Sequence, residues 1–167
     1  MESKAKLFGH PLHPMLIVFP LGLLTMSVIF DGIGLVSGNG HWHESAFWMI
    51  GAGVIGGLLA AVPGVIDWWA IPFGTRAKAV GMWHGLGNVA VTALFAIAWL
   101  LRRGQPSPVD PGAIPIVLAF IAIGIAMVTG WLGGELVDRL GVGVDRGAHL
   151  NSPSSRSNRP ATEDAPP

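Results

Sequence analysis

Four long stretches of this chain carry almost no charge, and that constrains the fold before any other feature. They run from Pro14 to about Val36 with Asp31 inside, from Ser45 to Ile66, from Ala79 to Leu101 with His84 inside, and from Pro111 to Gly134. A helix needs about 20 predominantly apolar residues to cross the hydrocarbon core of a bilayer. In lipid a backbone must satisfy its own hydrogen bonds, so such stretches read as helices. The alternating segments that mark a transmembrane barrel are absent. The pattern predicts an all-α membrane protein, a four-transmembrane-helix bundle in a domain over 1–144. Its helices are expected at about 14–36, 45–66, 79–101 and 113–137.

Composition narrows the function classes. Charged residues make up 12% of the chain, about half the share in a soluble domain. Ten basic and ten acidic residues cancel, which leaves no basic surface to hold nucleic acid. Cysteine is absent, and with it disulfides, iron–sulfur clusters and thiol nucleophiles.

Boundary signals are ordinary. Lys4 and Lys6 precede an apolar run in the manner of a signal peptide. The run is long, holds Asp31 and lacks a clear small-residue cleavage site, so it reads as an uncleaved first span. Pro14 suits a first helical turn, with His13 near the N-cap. Ser37-Gly38-Asn39-Gly40 ends the first span. From Asn151 onward almost nothing is apolar, and residues 145–167 are expected to form a disordered cytoplasmic tail.

Lys and Arg set orientation. With four spans, the N-terminus, the second loop and the tail share one side and hold eight of the ten basic residues; Arg102 and Arg103 lie opposite. Both termini are expected in the cytoplasm, with the chain in a bacterial inner membrane. The bilayer is the evident partner. Gly53/Gly57, Gly81/Gly85 and Gly130/Gly134 have the spacing that lets helices approach closely, within one bundle or in a homo-oligomer. Trp42, Trp48, Trp68, Trp69, Trp99 and Trp131 fall near predicted span ends, as an aromatic belt requires.

Ionisable groups inside a span cost roughly 2.5–3.5 kcal/mol at the helix centre on insertion scales, so each needs a reason. His84, Asn88 and Thr92 make a polar stripe on one face of the third helix. The same membrane face receives His10 and His13, Asp67, and Glu135 and Asp138. The candidate cluster is therefore His10, His13, Asp67, His84, Asn88 and Glu135, with His84, His13 and His10 the best metal ligands. Histidine with carboxylate holds a divalent metal, two histidines on different helices clasp haem iron, and the same groups relay protons. The plainer alternatives are interfacial histidines, a His84–Asn88 packing pair, a Glu135–Arg139 ion pair and an Asp67 that caps the loop before Trp68. Asp31 is the deepest carboxylate on the other side, either paired with His41 or His43 or snorkelling outward. The strip His41-Trp42-His43-Glu44 falls in a predicted loop. No phosphate loop, zinc-protease motif or nucleophile elbow is present, which leans against an enzyme.

Gly9-His10-Pro11-Leu12-His13-Pro14, Phe30-Asp31, Ile66-Asp67-Trp68, His84-Gly85-Leu86-Gly87-Asn88, Gly130-Trp131-Leu132-Gly133-Gly134-Glu135-Leu136-Val137 and Gly141-Val142-Gly143-Val144 together resemble a bacterial membrane-protein family catalogued as domain of unknown function 2231. The resemblance covers about Gly9 to Val144. It implies four membrane helices and an association, in some members, with Rieske-type iron–sulfur domains, hence a redox membrane partner. It implies no catalytic residues. Members often carry histidine where this chain has Leu140. Three functions follow as expectations: a structural or assembly partner of a membrane complex, a redox subunit binding haem b or a divalent metal, and a proton, ion or small-solute pathway.

Overall fold

The computed structural model describes residues 1–104 and 109–165. A two-residue ladder opens the chain, β1 (Lys6–Leu7) against β2 (His10–Pro11), turned by Phe8 and Gly9, both at positive φ. A short helix α1 (Leu12–Leu16) runs into α2 (Val18–Ser37), followed by α3 (His41–Ala70), α4 (Arg76–Arg103) and α5 (Ala113–Gly134). One π-helical turn, Glu135–Arg139, ends the last helix. Among the described residues four stretches are long and apolar enough to cross a membrane: Leu12–Ser37, His41–Ala70, Arg76–Arg103 and Ala113–Arg139. The protein is an all-α, multi-pass membrane protein.

The helices run longer than hydropathy alone marks. The first begins at Leu12, whose N–H donates to Ala5 O, so His13 lies inside the first turn and not at its cap. The second begins at His41, where Asn39 Oδ1 accepts the His41 N–H. The His41–Glu44 strip is thus the opening turn of α3 rather than a loop. The same helix continues through Pro63 to Ala70 and carries Asp67 on its last turns. The third begins after Thr75, whose hydroxyl accepts the Lys78 N–H as an N-cap. Lys78 folds back onto the carbonyls of Trp68 and Trp69, with its ammonium over the Trp68 ring.

The bundle consists of two helical hairpins of the same design. Asp31 and Arg102 are 71 residues apart, and the same shift carries His13 onto His84. It also carries buried Leu24 onto Phe95 and Ser27 onto Ala98. A shift two residues shorter relates α3 to α5. Buried, half-buried and exposed positions from Ala46 to Val62 recur from Pro115 to Trp131 everywhere except Gly51/Phe120. Each hairpin enters and leaves on the same membrane face, so the relation is that of a parallel repeat about an axis along the membrane normal.

Packing is close where small residues permit it. A side chain at Gly53 would strike Leu24, and one at Gly81 would strike Trp68. Gly85, Gly130 and Gly134 face open space. Of the predicted glycine pairs, only Gly53/Gly57 serves the bundle at both positions. Leu24, Val28, Ile50, Val91, Phe95, Ala119 and Ala122 fill the middle.

Candidate functional site

Two polar sites lie on the bundle axis, one towards each face. They are separated by about five helical turns, ~27 Å.

On the face that holds both termini, His13 from α1 meets His84 from α4. Their ring centres are 6.2 Å apart and their planes cross at 87°. His13 Nδ1 is 2.8 Å from Ala60 O on α3, and His84 Nδ1 is 2.8 Å from Thr129 O on α5. Ala60 and Thr129 are equivalent positions in the two hairpins. A carbonyl only accepts, so each Nδ1 carries the hydrogen and each Nε2 keeps its lone pair. Glycine makes room for both rings: a Cβ at Gly64 would lie 2.8 Å from His13 Nδ1, and one at Gly133 would lie 3.1 Å from His84 Cε1. Asn88 links the elements further. Its Nδ2 donates to His84 O at 2.9 Å and lies 3.2 Å from His84 Nε2, while its Oδ1 accepts from the Thr129 hydroxyl. Thr92 turns its hydroxyl back to Asn88 O.

The other expected members share that face but not that site. Asp67 accepts from the Ser3 hydroxyl at 2.7 Å and from the Lys4 and Ala5 N–H groups at 2.6 and 3.1 Å, which pins the N-terminal segment over α3. Glu135 pairs with Arg76 at 2.6 Å rather than with Arg139. The π turn adds a residue to the helical repeat there, with Leu140 N–H donating to Glu135 O. His10 is exposed, 3.3 Å from the Ser155 hydroxyl, and Asp138 is exposed. Among the described residues no three His, Asp or Glu side chains gather closely enough to share a metal ion.

The N-terminal segment is fastened in several places. The terminal ammonium donates to Gly141 O, the Gly143 N–H donates to Met1 O, and Lys6 Nζ reaches Asp145 at 2.6 Å. The Asp145 hydrogen bond holds the Lys6 ammonium above its ordinary pKa against a partial loss of solvent. Residues 145–165 run as turns without helix or strand.

On the opposite face Asp31 is fully buried and takes three hydrogen bonds. Arg102 Nη2 and Nη1 approach its two oxygens at 2.5 and 3.0 Å, and His43 Nδ1 lies 2.9 Å away. His43 is one of the two partners expected for Asp31. Arg102, read from the sequence as a residue at the span end, is the stronger one. Gly34 seats the His43 ring as Gly64 and Gly133 seat theirs. Trp99 Nε1 and Arg102 Nε are buried without a hydrogen-bond partner among the described residues. The signal for Arg102 was its spacing: it stands as far beyond His84 as Asp31 stands beyond His13.

Two hollows, of about 370 and 190 Å³, lie over Val65, Ile66 and Trp69 and beside the tail at Asp145 and Ser155; neither is lined by His13 or His84. Two imidazoles suffice as axial ligands of a haem iron, but the macrocycle also needs a broad apolar slot.

No curated protein and no solved structure matches the chain. The match is to a family model described as a predicted membrane protein, which covers residues 9–146 and includes every residue of both axial sites; the chain belongs to that family, domain of unknown function 2231.

Proposed function

We propose that the chain is a structural subunit of a membrane complex, a rigid four-helix scaffold around which a membrane partner assembles. The observation that carries this is where the intramembrane polar groups spend their bonds. His13, His84, Asn88 and Asp31 all bond to a different helix of the same bundle. In lipid such bonds fix helix position and rotation. The two polar ends are divided by the apolar layer of Leu24, Val28, Phe95 and Ala122. That layer favours a scaffold over a proton or solute pathway, which needs polar groups in continuous reach.

The experiment is native mass measurement of the protein extracted from its own membranes in mild detergent. The expected particle is heavier than one 17.5 kDa chain in its micelle, and the R102A variant loses it. A lone chain overturns the reading. An absorption spectrum of the same sample separates the redox alternative, since a Soret band assigns haem.

The placement proposed is a bacterial inner membrane with both termini in the cytoplasm. The basic residues support it, and more sharply once Arg102 is seen neutralised by Asp31. Reporter fusions after Gly40 and Arg103 should read as periplasmic, and fusions after Lys78 and Pro167 as cytoplasmic. The reverse pattern overturns the orientation.

A further inference from the structure

Packing engages Nδ1 of each axial histidine with a helix carbonyl, and His84 Nε2 meets the Asn88 amide as well. His13 and His84 occupy the same position in the two hairpins and come from different helices. Each donates Nδ1–H to a helix carbonyl at 2.8 Å. Each ring is also seated against a glycine four residues beyond that carbonyl. An Nδ1–H held by a carbonyl is the outer-shell arrangement that fixes the tautomer and direction of a histidine ligating through Nε2. An ion at about 2.0–2.1 Å from each of two imidazole nitrogens sets the ring centres roughly 5 Å apart at a tetrahedral angle and roughly 6.4 Å apart when the rings lie on opposite sides of it. The observed separation is 6.2 Å. Both residues are half-buried, so part of each side chain is open.

We propose that His13 and His84 bind one transition-metal ion through their Nε2 atoms, with water or a small solute ligand completing its coordination. The donor set names the class. With no carboxylate or third histidine joined to it among the described residues, the site offers nothing to Mg²⁺ or Ca²⁺, which require oxygen. Imidazole suits copper, zinc and nickel, and Cu²⁺ binds most tightly of the divalent series. The Asn88 amide, 3.2 Å from His84 Nε2, yields that contact on binding and keeps its bond to His84 O. Failure of this proposal leaves the scaffold reading standing, because that reading rests on the Nδ1 bonds and is tested by particle mass.

The test is metal titration of the full chain, purified through a tag without histidine and reconstituted in nanodiscs. Cu²⁺ is followed by electron paramagnetic resonance and Zn²⁺ by calorimetry. One ion per chain is expected, with Cu²⁺ hyperfine structure from two nitrogens. His13→Gln and His84→Gln should each weaken binding by at least about 100-fold, the upper range seen when a mere outer-shell partner is lost. His10→Ala, His41→Ala and His149→Ala should leave it intact. If a histidine variant fails to fold, Gly64→Ala replaces it, since its methyl displaces the His13 ring. Binding that survives in both glutamine variants, or that does not exceed binding by the double variant, overturns the proposal.

Discussion

The two ends of the bundle axis solve the same problem with different chemistry. At one end Asp31 and Arg102 are charged, fully buried and bonded to each other and to His43. At the other end the equivalent positions hold two half-buried histidines whose bonds go outward to Ala60 and Thr129. A buried ion pair is costly to desolvate and holds only with good geometry, so removing one partner strands a charge. Removing an imidazole breaks hydrogen bonds but strands no charge of opposite sign. The first end ties the hairpins together through paired charges, the second through hydrogen bonds to backbone carbonyls.

The largest effect should come from breaking the charged end. Arg102→Ala leaves Asp31 buried and alone, with an expected loss of about 3–5 kcal/mol, read as a fall in thermal unfolding temperature in detergent. Asp31→Asn combined with Arg102→Ala should lose distinctly less than Arg102→Ala alone, as a double-mutant cycle would report. Equal losses would mean that the pair does not couple and that the contrast between the ends is false.

Next comes the fit of the rings. Gly64→Ala places a methyl against His13 Nδ1, and Gly133→Ala meets His84 Cε1 at a less severe distance. Overpacking costs typically 1–3 kcal/mol. Gly64→Ala is expected near the upper end and Gly133→Ala near the lower, by the same unfolding assay. A reversed order would show that the second ring is the more firmly seated.

His84→Ala should cost about 1 kcal/mol, since membrane hydrogen bonds average ~0.6 and reach ~1.7. A loss as large as that of Arg102→Ala would erase the distinction drawn between the ends.

The smallest effects lie outside the membrane. The Lys6 ammonium is held above its ordinary pKa by Asp145. A base with a raised folded-state pKa contributes fully below its unfolded pKa, and the contribution fades as pH rises through the folded value. The Lys6–Asp145 tie should therefore be present at neutral pH and open in strong alkali. Amide exchange at Lys4–Leu7 that outpaces the ordinary base-catalysed rise above about pH 10.4, and that is already faster at neutral pH in Lys6→Met, would show it. Deleting residues 151–167 should leave the unfolding temperature unchanged.

The spans were legible in the sequence because a bilayer imposes one demand over many residues, and so was the face to which His13, His84, Asp67 and Glu135 come. Rotation was not legible. It is set by which side chain meets which, and Asp67 turned to the N-terminal segment while Glu135 turned to Arg76. Arg102 was missed because a charge near a span end looks like an anchor until its partner's depth is known. The repeat was hidden for a related reason. Gly64 and Gly133 keep their identity, but Leu24 answers to Phe95 and Asp31 to Arg102. What the copies share is a sequence of inside and outside, which periodicity carries only faintly.

That last substitution has a consequence for how such a chain can be divided. A pair of first hairpins would set Asp31 against Asp31 inside the membrane, and a pair of second hairpins would set Arg102 against Arg102. Like charges buried together penalise both self-pairings, while the mixed pair is favoured. The two halves are therefore specific for one another. Produced as separate chains cut within the loop between Ala70 and Arg76, they should seek each other out and refuse copies of themselves.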